Sequence, residues 1–143
     1  MDSNNGQSAA AEDPAASKGK PPVAICLDDD PLVGAVFLAA AARAGAAGIF
    51  TAEPREFERA VASHAPRVVV LDQMMPDRTG AETILWLRGL ESRPRLIAIS
   101  ADALYLETAA ALIKGAGLDL VAALRKPLRV NELAEAIRSA VAG

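Results

Sequence analysis

The sequence predicts one α/β domain built on an open parallel sheet with helices on both faces. Five short apolar segments alternate with five segments of helical apolar spacing. Most of the apolar segments end in a polar or charged residue followed by a loop. Such alternation is typical of parallel strands joined by right-handed helical crossovers. The length of 143 residues suits one domain with a substantial core and is short for two.

The predicted strands are continuous apolar runs, as expected for strands buried on both faces. The run Val68-Val69-Val70-Leu71 before Asp72 is the clearest example. The second strand is weaker and is expected near an edge of the sheet. The five predicted strands cover residues 23–27, 47–52, 67–72, 95–100 and 118–124.

The predicted helices begin at capping residues or proline and end near glycine. Asp30 followed by Pro31 suits an N-cap and the first helical position. Gly115-Ala116-Gly117 stops the fourth helix. In the third helix, Leu85 is expected to face the sheet together with its apolar neighbours. The five predicted helices cover residues 31–45, 54–64, 80–90, 103–114 and 130–141.

Composition excludes several classes of protein. Residues 1–21 lack apolar periodicity and are predicted to form a disordered tail before a domain over residues 22–143. A net charge of −3 argues against nucleic-acid binding. The absence of a long apolar run or a signal peptide argues against a membrane partner and favours the cytoplasm. The single cysteine, Cys26, excludes an internal disulfide and is expected in the core.

Polar side chains follow four of the predicted strands. Asp28 and Asp29 follow the first, Asp72 ends the third, Ser100 ends the fourth and Lys126 follows the fifth. Because parallel strands place their carboxyl ends along one edge, these groups are expected to meet there. Carboxylate oxygens suit Mg²⁺, and Lys126 and Ser100 can bond phosphate oxygens. Asp72 can serve as the nucleophile of aspartyl-phosphate chemistry.

These segments resemble the receiver domain of two-component response regulators, the CheY-like superfamily. The likeness covers residues 22–142 and implies a flavodoxin-like (βα)5 fold with strand order 2-1-3-4-5. It rests on motifs that stand in the order typical of the family. These are Asp28-Asp29-Asp30-Pro31, Leu71-Asp72-Gln73-Met74-Met75-Pro76 through Gly80, Ile99-Ser100-Ala101 and Arg125-Lys126-Pro127.

The resemblance implies that Asp72 accepts a phosphoryl group from a sensor histidine kinase or a histidine phosphotransfer protein. Mg²⁺ would be held by Asp29, Asp72 and the backbone carbonyl of Met74, with Asp28 acting directly or through water. It implies no enzyme activity beyond the domain's own phosphorylation and dephosphorylation.

The resemblance assigns further roles around the phosphoacceptor. Ser100 would rotate inward to bond the phosphoryl group, Lys126 would pair with it, and the peptide bond before Pro127 would be cis. Met74 and Asp102 occupy the positions that tune the lifetime of the phosphoryl group. Since a methionine side chain cannot activate water, slow self-dephosphorylation is predicted.

One position departs from the pattern of the family. Many receivers have an aromatic residue three positions before the lysine, and here that residue is Ala123. The signal is therefore expected to pass through Ser100, the fourth helix and the 100–106 loop. Tyr105 could replace the missing aromatic, but packing within the helix is favoured.

The residues leave open how the domain is used. Since only Gly143 follows the fifth helix, a receiver without its own effector is expected, switching an unknown downstream protein. The alternative is a binding module that takes a protein or a nucleotide through the face of the fourth helix, fifth strand and fifth helix, without phosphorylation. A metal-dependent phosphatase is disfavoured because no acid lies two residues after Asp72. The cations near that face are Lys114, Arg125, Arg129 and Arg138, and such clusters are more often solvated surface.

Overall fold

The computed structural model describes residues 19–75 and 79–142, in which five strands alternate with five helices. Every predicted element is present, and only the ends differ. The strands are β1 Val23–Leu27, β2 Ala47–Thr51, β3 Val68–Asp72, β4 Arg95–Ser100 and β5 Leu120–Arg125. The helices are α1 Pro31–Arg43, α2 Pro54–His64, α3 Gly80–Arg88, α4 Ala103–Gly115 and α5 Val130–Ala142.

Two predictions concern residues that the structure does not describe. Of the tail predicted over residues 1–21, residues 1–18 lie outside the described residues. Residues 76–78, which belong to the loop predicted after Asp72, also lie outside them.

The five strands form one parallel sheet in the order β2-β1-β3-β4-β5. This confirms the predicted order and places the weaker β2 at an edge. All residues of β3 are buried, as expected for a Val- and Leu-rich strand with helices over both faces. The order brings the carboxyl ends of β1, β3 and β4 side by side in the middle of the sheet.

Each face of the sheet has its own apolar core. One core lies under α1 and α5 and includes Cys26, which is fully buried as predicted. The other lies under α2, α3 and α4 and includes Ile84 and Leu87. The expectation for Leu85 is wrong, because this residue is exposed. Ile84 and Leu87 are three residues apart and share the buried side of α3, whereas Leu85 points away from it.

Side-chain caps fix where three of the helices begin. Asp30 Oδ1 accepts a hydrogen bond from Leu32 N at 2.9 Å, and Pro31 takes the first helical position. Thr79 and Glu82 form a reciprocal capping box at the start of α3. Asp102 caps α4. None of the helices in the described ranges is long and apolar enough to cross a membrane.

Candidate functional site

Three carboxylates meet at the carboxyl edge of the sheet. Asp28 follows β1, Asp72 ends β3, and one oxygen each of Asp28, Asp29 and Asp72 lies within 4.8 Å of the others. Asp28 and Asp72 are buried, while Asp29 is exposed. The site residues expected from the sequence at the first and third strands are therefore brought together.

Lys126 supplies the positive charge of this cluster. Its Nζ lies 2.8 Å from Asp28 Oδ2 and 3.4 Å from Asp72 Oδ1. The Lys126 amide donates to Ser100 O at 2.9 Å, which fixes the chain just beyond β5. The Lys126–Pro127 peptide bond is cis. The lysine therefore bridges a fully buried carboxylate and the proposed phosphoacceptor.

The remaining oxygen of Asp28 also has a partner. Asp28 Oδ1 accepts a hydrogen bond from Asp30 N at 2.8 Å. Asp29, by contrast, makes no hydrogen bond or ion pair to any other described residue. Asp28 therefore uses both carboxylate oxygens in contacts within the described protein, whereas the two oxygens of Asp29 are available to a ligand.

Burial and charge shift the proton equilibria of the cluster. Burial raises the pKa of Asp72, the neighbouring Asp28 carboxylate raises it further, and Lys126 opposes both. Burial lowers the pKa of Lys126, but the hydrogen bond and charge of Asp28 and of Asp72 outweigh burial and leave that pKa raised. Lys126 therefore stays protonated beside the two carboxylates.

Cys26 lies behind the cluster and does not take part in it. Burial, followed by the charges of Asp28 and Asp72, raises the pKa of the Cys26 thiol well above its usual value. A buried thiol that stays protonated is a poor nucleophile. This agrees with the prediction of a structural core residue.

Ser100 faces the start of α4. Ser100 is fully buried, and its Oγ accepts a hydrogen bond from Asp102 N at 3.1 Å. Asp102 Oδ1 in turn accepts from Leu104 N at 2.8 Å and from Tyr105 N at 3.4 Å. The Asp102 carboxylate is therefore engaged as a helix cap, and Ser100 makes no hydrogen bond to Asp72 among the described residues.

Met74 and Tyr105 border the mouth of the site. Met74 is 51% exposed, and its amide donates to Asp72 Oδ1 at 3.2 Å. Both residues line a cavity of about 400 Å³ that also reaches Asp29. Tyr105 is 42% exposed, so the expectation that it packs within the helix is wrong. Its position in the first turn of α4 directs the ring toward the cavity rather than the sheet.

The donor set fits a hard divalent cation. The clustered ligand atoms are carboxylate oxygens, without sulfur or imidazole in the cluster that the described residues form. Oxygen ligands of this kind suit Mg²⁺, which binds through few carboxylates and keeps several waters. Asp29 has free oxygens, and Asp72 keeps one that neither Lys126 nor Met74 contacts.

Gln73 also borders this site, although no motif in the sequence assigns it a role. It is buried directly after Asp72, and its side chain donates to Leu71 O at 3.0 Å. The signal in the sequence is the glycine at position 80, the first residue of α3. The contact between the two is visible only in three dimensions.

The four cations of the alternative binding face do not act as one group. Arg125 and Arg129 line a cleft of about 960 Å³, together with Arg43 from α1. Lys114 does not line that cleft. Arg138 is engaged with the Glu135 carboxylate at 3.1 Å and with Arg43 O at 3.2 Å.

The fold and the site define a flavodoxin-like α/β domain with an acidic, lysine-bearing pocket at the carboxyl edge of its sheet. The sequence profile of the response regulator receiver domain matches residues 24–138. The chain belongs to this family of two-component signalling modules. No curated protein sequence matches the chain significantly.

Solved receiver domains share the fold at low sequence identity. CheY4 of Vibrio cholerae, a chemotaxis response regulator, is 17% identical with a TM-score of 0.72, covering 85% of this chain and 99% of its own. A receiver domain protein from Clostridium thermocellum is 19% identical with a TM-score of 0.71, covering 85% and 94%. A CheY-like receiver domain protein from Methanospirillum hungatei is 19% identical with a TM-score of 0.72, covering 84% and 93%.

Proposed function

We propose that the domain accepts a phosphoryl group on Asp72 from a histidine kinase or a histidine phosphotransfer protein, and thereby switches its binding to another protein. The convergence of Asp28, Asp29, Asp72 and Lys126 at one edge of the sheet supports this function best. Membership of the receiver family supports the same phosphoryl donors.

Each side chain has a separate task in the proposed transfer. A carboxylate oxygen of Asp72 attacks phosphorus while the bond from phosphorus to the imidazole nitrogen of the donor breaks. Lys126 would balance negative charge on the transferred oxygens, a role that the 3.4 Å distance from its ammonium to Asp72 supports. Charge stabilisation and positioning supply most of the acceleration in such transfers.

Mg²⁺ would be held by Asp29, Asp72 and the Met74 carbonyl, with Asp28 direct or through water, and would add positive charge at the phosphoryl oxygens. Because Asp28 is already paired with Lys126, Asp29 is the more accessible ligand. Ser100 would leave the Asp102 amide to bond a phosphoryl oxygen. Met74 and Asp102 would then influence how long the phosphoryl group remains.

The test is incubation of the protein with acetyl phosphate and Mg²⁺, followed by intact-mass and peptide mass spectrometry. The proposal expects one phosphoryl adduct, on Asp72, that is absent from Asp72→Asn and requires Mg²⁺. The absence of any adduct would favour a binding module, and rapid steady release of phosphate would favour a phosphatase.

A second candidate function is binding an acidic protein segment in the cleft lined by Arg43, Arg125 and Arg129. None of these arginines forms an ion pair with another described residue. Arg43 donates to the neutral Asn131 side chain, which fixes its guanidinium at the cleft. Guanidinium groups in this situation favour carboxylates, which they bind in a bidentate manner.

Fluorescence anisotropy with a labelled glutamate-rich peptide tests this candidate. Binding by Asp72→Asn that is lost in Arg125→Gln/Arg129→Gln would support a function independent of phosphorylation. Arg88→Gln, which removes an exposed charge on α3, is the matched control. A peptide that binds neither the wild type nor its phosphorylated form would rule the candidate out.

A further inference from the structure

Gln73 joins the strand that carries Asp72 to its neighbours. Its amide donates to Ile99 O at 3.0 Å, which extends the β3–β4 pairing one residue beyond Asp72. Its side chain folds back, and Nε2 donates to Leu71 O at 3.0 Å. Only 6% of the residue is exposed. Both ends of Gln73 are therefore held by the sheet.

The carboxamide of Gln73 fills the space beside Gly80, the first residue of α3. A Cβ added to Gly80 would lie 2.6 Å from Gln73 Cδ and 3.2 Å from Gln73 Cα. Cβ atoms do not approach other atoms as closely as 2.6 Å. A side chain at position 80 would therefore displace the Gln73 carboxamide from this position, so the two residues interlock the end of β3 with the start of α3.

The interlock lies at the base of the segment that follows Asp72 and contains Met74, whose carbonyl is a proposed metal ligand. Met74 and Thr79 form an antiparallel bridge across this segment, and Met74 N donates to Asp72 Oδ1 at 3.2 Å. The main chain from Asp72 to Met74 is thus held at Gln73 by its contacts with β3 and Gly80, and at Met74 by its bridge to Thr79, the N-cap of α3.

We propose that Gln73 is a positioning residue for the phosphoacceptor site. Its carboxamide, wedged between β3 and Gly80, fixes the main chain that presents the Asp72 carboxylate and the Met74 carbonyl to Mg²⁺. This inference rests on the proposed function. It assigns Gln73 no contact with substrate or metal.

The test combines Mg²⁺ titration by calorimetry with urea unfolding of Gln73→Ala, Gly80→Ala and the double variant. Gln73→Ala is expected to bind Mg²⁺ about tenfold more weakly, as found when groups that orient metal ligands are removed. The acetyl phosphate reaction should then need more Mg²⁺ for half its maximal rate, while the rate at saturating Mg²⁺ changes less. A residue that serves packing alone would lower stability without changing the Mg²⁺ affinity measured well below the unfolding transition.

The double variant tests the interlock itself. Gly80→Ala should be destabilising because its methyl group meets the carboxamide, and Gln73→Ala should remove most of that penalty. Gly115→Ala is the matched control, since a Cβ at this helical glycine meets nothing within 4 Å. Additive effects of Gln73→Ala and Gly80→Ala would overturn the interlock.

Two outcomes separate this inference from the proposed function. If the wild type binds Mg²⁺ and forms the adduct, but Gln73→Ala has unchanged Mg²⁺ affinity, the positioning role is overturned and the function stands. If the wild type neither binds Mg²⁺ nor forms the adduct, both are overturned.

Discussion

Lys126 places its ammonium nitrogen 2.8 Å from Oδ2 of Asp28, a side chain with 0% of its surface exposed. Lys126 is the only cation that forms an ion pair with this carboxylate in the described part of the chain. A buried charge without its partner is strongly destabilising. We therefore expect removal of the lysine proposed to assist phosphoryl transfer to destabilise the fold as well.

Lys126→Met is expected to lower the free energy of unfolding by about 3 kcal/mol, because it leaves Asp28 buried and unpaired. Methionine keeps most of the apolar stem, so the loss reports the charge. Urea unfolding measures the change, with the exposed Lys114→Met as control. Adding Asp28→Asn to Lys126→Met should recover most of the lost unfolding free energy. If the double variant instead loses as much as the two single variants together, this account is contradicted.

The raised pKa of Asp72 gives stability a dependence on pH. The folded protein holds the Asp72 proton more tightly than the unfolded chain, so ionisation of this group costs stability as pH rises from its ordinary pKa through the raised value. Asp72→Asn should therefore be more stable than the wild type at pH 7, by about 1 kcal/mol. Thermal unfolding across pH should show this advantage vanish below pH 3.8, the ordinary value.

The same shift sets the pH dependence of phosphorylation. Only the ionised carboxylate is a nucleophile, so the initial rate with acetyl phosphate should fall on acidification, with a midpoint above pH 3.8. The rate is read from adduct formation at a fixed concentration of acetyl phosphate and at Mg²⁺ far below its Kd, because bound Mg²⁺ would itself lower the pKa of a ligating carboxylate. A midpoint at or below the ordinary value would show that Lys126 outweighs burial and Asp28 at this site.

Mg²⁺ should stabilise the protein against heat. A ligand at about a hundredfold its Kd adds ~2.7 kcal/mol, which raises Tm by several degrees for a domain of this size. Asp29→Asn should abolish most of the increase, since Asp29 supplies exposed oxygens to the cluster. Glu107→Gln, which removes an exposed carboxylate on α4, should respond as the wild type does; an equal loss in both variants would indicate nonspecific binding.

Met74→Asn is expected to shorten the life of the phosphoryl group several-fold. The wild-type side chain at the mouth of the site has no group that can orient an attacking water, whereas an amide has one. Loss of the adduct after removal of acetyl phosphate gives the half-life. Leu85→Asn on α3 is the control, and a wild-type half-life of seconds would refute slow self-dephosphorylation.

The sequence predicts which residues meet at the strand ends, because parallel strands share one direction. That single rule places Asp72 and Lys126 on the same edge, and the apolar runs before them identify their strands. The N-cap role of Asp30 followed equally directly from its place before Pro31. Local chemistry and strand direction therefore sufficed for the α/β class and for bringing Asp28, Asp72 and Lys126 to one edge, whereas the strand order followed from the family resemblance.

Which side chains contact each other within the site could not be predicted in this way. Whether Lys126 contacts Asp28 or Asp72 depends on side-chain reach and burial, which a list of strand ends does not contain. The contact of Gln73 with Gly80 joins residues on two different elements. Tyr105 was assigned to packing because aromatic residues usually bury, but its place on the first turn of α4 leaves it beside the cavity instead.

The hydrogen bond from Asp102 N to Ser100 Oγ ties the chemistry of the pocket to the shape of the surface. Any turn of the serine hydroxyl toward a newly attached phosphoryl group withdraws an acceptor from the segment that leads into α4. The lost hydrogen bond is made by Asp102, whose carboxylate also caps the start of α4. Because position 123 is alanine, we expect a change at Ser100 to reach the surface through this segment rather than through an aromatic side chain at position 123.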